Sequence, residues 1–169
     1  MADIEKAKSD PLQQLWDQIN EVHAGMLGVE GSCQHLQPMA PQVEKETNSI
    51  WFFTKTDTDL VKAVKAGSHA HFCIIAKDQD YHACLAGGIS ENASKEHIDK
   101  FWNAHVAAWY EHGREDPLLT MLQLKVEDVS IWASTSSGLR YGWEIAKANL
   151  TSSVPDVSYH TQIKLPQTV

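Results

Sequence analysis

Arginine occurs only twice in the 169 residues, at Arg114 and Arg140, and cysteine only three times, at Cys33, Cys73 and Cys84. The cysteines lie far apart without a CxxC pair, and an odd number cannot close a disulfide framework within one chain, so reduced thiols are expected. Cys73 and Cys84 fall inside apolar, strand-like runs, where cysteine behaves as a small buried hydrophobe rather than a nucleophile. No apolar run approaches the roughly 20 residues of a membrane span, and the opening MADIEKAKSDPLQQ holds no apolar core of signal-peptide length. Positive charge is scarce: 14 lysines and arginines face 22 aspartates and glutamates, for a net charge of -8. An acidic surface repels phosphate backbones and anionic headgroups, so neither nucleic acid nor a membrane is an expected partner, and a cytoplasmic protein is the reading.

Several catalytic signatures are missing as well. No GxGxxG opens a helix after a strand, which disfavours a Rossmann dinucleotide site. No GxSxG supports a nucleophile elbow, and the stretch from Ser134 to Gly138 reads as a loop. His69 and His71 share a strand face, but two ligands are too few for zinc and no HExxH or acidic cluster completes them. His82, His97, His105 and His112 are scattered, so no metal is expected.

What is present is ordinary globular composition, 43% hydrophobic and 21% charged, in a length that suits one domain over 1–169. Asp10-Pro11 is a helix start, and Leu12, Leu15, Trp16, Ile19 and Val22 recur at helical spacing, which predicts a helix over 11–23. A barrel is predicted from about residue 24 onward. Strand-like runs at 26–29 and 35–43 flank the turn composition Glu30-Gly31-Ser32, a hairpin. The β-branched and aromatic run at 49–54 reads as a strand, and Leu60, Val61 and Val64 place a helix over 57–65. Residues 69–76 and 81–90 form a second hairpin, with Gly87-Gly88 marking a bulge. Ser94 caps a helical insertion over about 94–112, with Ile98, Phe101, Trp102, Val106 and Trp109 on one face. Strands at 118–126 and 129–132, a helix at 142–150 and an alternating strand through Tyr159, Thr161, Ile163 and Leu165 complete the chain, so that a C-terminal helix and strand fill 139–165. About seven strands on hairpin-length connections predict an α+β fold, an antiparallel sheet closed as a barrel with flanking helices.

Four segments, His35-Leu36-Gln37-Pro38-Met39-Ala40, Ile50-Trp51-Phe52-Phe53-Thr54, Phe101-Trp102-Asn103 and Ala108-Trp109-Tyr110, stand in an order that resembles the general stress protein branch of the pyridoxamine 5′-phosphate oxidase-like FMN-binding split barrels. The resemblance runs from about Leu12 to the C-terminus. It implies a split barrel, a homodimer with two sites at the subunit interface, and FMN as cofactor, with FAD possible. In that family an arginine of the second strand and a serine and lysine of the strand-to-helix turn hold the phosphate; here Gln37, Thr58 and Leu60 occupy those positions. Gln37 donates only neutral hydrogen bonds, roughly half as strong as those of a guanidinium fork. Lys55 beside the turn is the substitute charge, and the helix following Asp57 offers unpaired amides to an anion. The resemblance further implies a flavin ring beside Pro38, Met39, Phe52, Phe53 and Thr54, with Trp102, Trp109 and Tyr110 closing over it.

The residues alone leave two of these points open. The aromatic run at 51–53 suits a plain strand core as well as a cofactor edge, and Trp102 and Trp109 suit packing as well as flavin contact. The resemblance implies a flavin-dependent oxidoreductase whose redox substrate is unidentified. Its alternatives are a flavin-binding or flavin-sensing stress protein without turnover, or a split barrel holding FAD, haem or deazaflavin. Pyridoxamine-phosphate oxidation itself is not expected, because a substrate phosphate needs its own basic cluster and both arginines fall late in the chain, in loops.

Overall fold

The computed structural model describes residues 3–134, 138–151 and 157–166. Asp3 accepts from the backbone N–H groups of Glu5 and Lys6 and starts a short helix, α1 (Ile4–Ser9), which sequence periodicity did not reveal. Asp10 accepts from the Gln13 N–H and Pro11 takes the first helical position, so α2 (Pro11–Glu21) follows at once. These caps satisfy N–H groups that every helix start leaves without an intrahelical partner. α2 ends at Glu21, two residues before the expected limit, and buries Leu15, Trp16 and Ile19 against the barrel.

The remaining elements are β1 (Gly25–Val29), β2 (Gln37–Met39), β3 (Gln42–Glu44), β4 (Ser49–Lys55), α3 (Asp59–Ala63), β5 (His69–Ile75), β6 (Tyr81–Glu91), α4 (Lys95–Phe101), α5 (Ala104–Ala107), β7 (Leu119–Ser134), α6 (Gly138–Thr151) and β8 (Ser158–Lys164). All eight strands belong to one antiparallel sheet in the order β2-β1-β5-β6-β7-β4-β3, with β8 added alongside β7. The edge strands β2 and β3 are consecutive in the chain, joined by residues 40–41. A flat sheet would hold them roughly 29 Å apart, whereas three residue steps from Met39 to Gln42 span at most about 11 Å. The sheet therefore curls back on itself, and the α+β split barrel is confirmed.

Strand alternation sorts the side chains. Leu27, Phe52, Phe72, Ile74, Leu85, Leu122 and Ile131 fill the barrel, while Trp51 and Met121 point outward and are buried under α4 and α5 with Ile98, Val106 and Tyr110. A barrel core and a smaller outer core thus share β4 and β7.

Several expectations are corrected. The stretch 35–43 is two strands, because Pro41 has no N–H for a ladder and the chain passes there from one sheet edge to the other. The strands expected at 118–126 and 129–132 are one long strand from Leu119: β7 pairs with β6 along one side and, on the other, with β4 up to Lys125 and with β8 from Asp128. The exchange falls at the bulge, where Gly87 faces Val126 and Ala86 faces Asp128, leaving Glu127 as the extra residue. A Cβ on Gly87 would lie 1.8 Å from the Lys125 carbonyl oxygen, so only glycine fits.

The insertion at 94–112 is not one helix. Ser94 caps α4 as expected, but the chain leaves helical geometry at Trp102, and Asn103 starts α5 by accepting from His105 N–H at 2.9 Å and Val106 N–H at 3.0 Å. Asn competes well for backbone donors and so initiates helices better than it continues them. Trp109 lies beyond α5 and shares no helical face with Trp102. α3 is shorter than the predicted 57–65, and α6 runs over Gly138–Thr151, so Arg140 stands on a helix rather than in a loop; Arg114 sits in a 3-10 turn. Residues 135–137 of the expected 134–138 loop lie outside the described residues.

Candidate functional site

A cleft of about 780 Å³ opens between the end of α2, the β2–β3 corner and α5. Val22, His23 and Ala24 form one wall, residues 38–42 the floor, and Asn103, His105, Trp109 and Tyr110 the opposite wall, with Phe53 between them. The position follows from the fold: the corner at 40–41 cannot be packed by a ladder neighbour, and the break at Trp102–Asn103 swings the following aromatics over β4.

The aromatic side is a mutually packed group. Phe53 meets Trp102 edge-on at 6.0 Å and Tyr110 at 6.5 Å between centroids, and Trp102 lies 5.9 Å from Tyr110. The Tyr110 hydroxyl donates to the Thr54 carbonyl at 2.9 Å, which fastens the segment after α5 to β4. Burial, reinforced by the Asp116 carboxylate, pushes the Tyr110 phenol up to about 12, so it stays a neutral donor. The Lys55 ammonium lies 5.8 Å over the same ring, and the Arg114 guanidinium 5.7 Å over Trp102. Trp109, by contrast, is 77% exposed and borders the cleft.

Beside the cleft, the corner after β4 is tied down locally. The Thr58 hydroxyl donates to the Lys55 carbonyl at 2.9 Å, accepts from Val61 N–H at the start of α3, and lies 3.3 Å from the Thr54 hydroxyl. Gln34 Nε2 donates to the Asp59 carbonyl at 3.0 Å, joining the segment that leads into β2 to α3. Gln37 is in register with Leu27, whose side chain points into the barrel, whereas Pro38 is in register with the outward Met26.

A second polar group lies behind the outer core. Burial pushes the Glu44 carboxyl up, but the Lys100 ammonium, the Thr47 hydroxyl and the Trp51 indole N–H outweigh it and bring the group down to about 2. His97 stacks on Trp51 at 3.9 Å. This is a structural clamp between β3, β4 and α4. His69 and His71 each face a separate carboxylate, Glu127 and Glu30, and no group of three or more metal-binding side chains occurs among the described residues.

The chain has counterparts among known proteins. The family model described as "Pyridoxamine 5'-phosphate oxidase like" matches residues 10–156. The chain belongs to that family. Among solved structures, a general stress protein 26 from Jannaschia sp. CCS1 is 33% identical, superposes with a TM-score of 0.77, and aligns over 93% of this chain and 99% of its own. A general stress FMN/FAD binding protein from Xanthomonas citri is 32% identical, with a TM-score of 0.69 and coverage of 76% and 93%. PhzG from Burkholderia lata 383, at 10% identity and a TM-score of 0.60, shares the fold. No curated protein sequence matches. The chain thus lies in the general stress protein branch of the family.

Of the residues singled out in the sequence, the cleft brings together Pro38, Met39, Phe53, Trp109 and Tyr110. Trp102 backs Phe53 and Tyr110, and Thr54 and Lys55 reach the group through Tyr110. Gln37 and Thr58 do not line the cleft. Phe52 and Leu60 are buried in the barrel core: Phe52 packs on Phe72 at 4.9 Å and so faces away from Phe53. The cleft also contains His23, Gln42, Asn103 and His105, which sequence reading did not select as site residues. Asn103 carried a visible signal, as a cap within the Phe101-Trp102-Asn103 motif; His23 and His105 carried none.

Proposed function

We propose that this chain binds a flavin mononucleotide in the cleft and acts as a flavin-dependent oxidoreductase. The carrying observation is the convergence of Pro38, Met39, Phe53, Trp109 and Tyr110 from three separate segments on one open cleft. Its volume lies in the range of about 300–1,000 Å³ usual for cofactor and small-ligand sites. The lining suits a flavin: an apolar and aromatic bed for a flat ring, with backbone groups of residues 38–42 and the amide of Gln42 at its edge. The FMN/FAD binding relative from Xanthomonas citri supports the same ligand class. FMN is the flavin this reading assigns, and FAD is the alternative that analysis of the released ligand decides.

When bound, a flavin supplies two-electron transfer at its ring. The chain's own part is to bind, orient and exclude water. Phe53 and Met39 form the bed, Trp109 covers it, and Tyr110 holds the cover to β4 as a neutral donor. Lys55, whose ammonium lies beside Tyr110 at the edge of the cleft, is the cation this reading assigns to the phosphate; with no arginine beside it, retention is weak. We assign the open side to a second copy of the chain. Trp109, exposed at the cleft, supplies apolar surface for such a contact.

The test is an absorbance spectrum of protein purified with FMN, mass analysis of the released ligand, and anaerobic addition of NAD(P)H. A yellow dimer bleached by the nucleotide is expected. Bound flavin that stays oxidised for hours removes the enzyme and leaves a flavin-binding protein; no affinity for FMN or FAD sinks the reading.

A further inference from the structure

We propose that Cys73 and Cys84 form a redox-active dithiol that closes reversibly to a cross-strand disulfide when the protein meets a hydroperoxide. Both are free thiols in this structure. They are directly opposed in the β5–β6 register, and their sulfurs lie 3.4 Å apart. Their strand neighbours Phe72, Ile74, Ala83 and Leu85 are buried in the barrel, so the two thiols share the outer face, where both are half-exposed. The expectation that both are buried is corrected: alternation puts them on the face opposite the core, partly exposed.

Opposed residues of an antiparallel pair hold their Cα atoms about 4.5–5.5 Å apart, inside the window of about 4.4–6.8 Å that a disulfide requires. Closure needs side-chain rotation and no new backbone path. A link on the outer face of the sheet lies within reach of a thiol reductant, which favours a switch over a permanent staple.

A third group makes the pair asymmetric. His71 Nδ1 lies 3.5 Å from the Cys84 sulfur, and its Nε2 lies 2.8 Å from a Glu30 carboxylate oxygen, which orients the ring. The hydrogen bond shared with Cys84 outweighs burial and, with the field of His71, lowers the Cys73 thiol below its ordinary value. The same bond, with burial, pushes Cys84 up. With His71 placed to take the Cys84 proton in the resolving step, the proposal assigns the attack to the Cys73 thiolate and the resolution to Cys84.

In the first step the Cys73 thiolate attacks the peroxide, an S–O bond forms, the O–O bond breaks, and the released alkoxide or hydroxide takes up a proton. Cys73 is oxidised by two electrons to the sulfenic acid and the peroxide is reduced. In the second, the Cys84 sulfur attacks Cys73 while its proton passes to His71 Nδ1. The S–S bond forms, the S–O bond breaks, and hydroxide recovers the proton and leaves as water. A thiol reductant returns both electrons by exchange.

The full chain is treated with hydrogen peroxide, quenched with an alkylating agent and mapped by mass spectrometry. The expected result is a Cys73–Cys84 link within one chain, a mass lower by two hydrogens, Cys33 still alkylated, and recovery with dithiothreitol. Cys84→Ser should leave Cys73 as a sulfenic acid trapped by dimedone, and His71→Gln should slow closure more than the first oxidation. Cys33→Ser should change nothing. The proposal is overturned if Cys73 and Cys84 stay alkylatable in excess peroxide, if Cys33 alone reacts, or if the links form only between chains. The map of the unsubstituted protein decides this even if a variant fails to fold.

Discussion

Phe53 and Trp109 border the same cleft from opposite situations, one packed among aromatics and the other exposed. Removing Trp109 therefore separates binding from stability. Trp109→Ala is expected to cost the fold about 0.5 kcal/mol or less. It should weaken FMN binding about tenfold through the lost ring contact. A urea melt and a flavin fluorescence titration measure the two; an unchanged affinity would remove Trp109 from the site. Glu44 makes the opposite case, a buried residue with no ligand role. Its carboxyl titrates at about 2 instead of 4.5, so the unfolded chain takes up the proton first as pH falls. The stability it contributes is complete above about pH 5, declines below 4.5 and is gone below 2, amounting to about 3 kcal/mol at neutral pH. Glu44→Gln should flatten that acid limb in denaturation curves taken between pH 2 and 6. Single residues were only partly legible in the sequence. Period-two alternation separates Phe52 from Phe53 and could have excluded Phe52 from the cleft, whereas nothing local distinguishes His23 or His105 from any surface histidine.

Among the elements, β7 shows most clearly where sequence pattern stops. A charged pair, Glu127-Asp128, looks like a turn between two strands, yet the strand runs through because Gly87 lets Lys125 approach and Glu127 bulges out. Gly87→Ala must push the Lys125 carbonyl away and disturb β6, β7 and the exchange from β4 to β8 together. A loss of about 2 kcal/mol or more is expected in urea unfolding, while Gly88→Ala, whose Cβ would meet only the Glu127 carboxylate at 3.6 Å, should cost less. Equal effects would show that the close approach at Gly87 carries no energy. The insertion at 94–112 failed to read correctly for a related reason: helical spacing of apolar residues continues across Asn103, but the side chain of Asn103 binds the backbone donors of a new helix. The hairpins β5–β6 and β1–β2 were legible because alternation and turn composition agree there.

At the scale of the molecule, the hairpin-length connections fixed the antiparallel class, and the four motifs supplied the split barrel. Their meeting at a cleft is a long-range fact that no local pattern contains. If FMN occupies that cleft, it must stabilise the whole cooperative unit. At about 100 times its dissociation constant the gain is about 2.7 kcal/mol. That raises the melting midpoint by roughly 5–10 °C for a chain of this length. Differential scanning with FMN, FAD and riboflavin ranks the ligands, and a midpoint that also climbs with protein concentration supports two copies sharing the site. Indifference to all three flavins would leave the cleft without its proposed occupant.

The join at Ala40–Pro41 carries a last consequence. The curled sheet resembles a hoop whose covalent link is also the floor on which a ligand would rest. A peptide-bond cut there would leave the barrel core and the Gln34–Asp59 tie in place yet free that floor, so the seat for the ligand would loosen before the core had lost a single side chain.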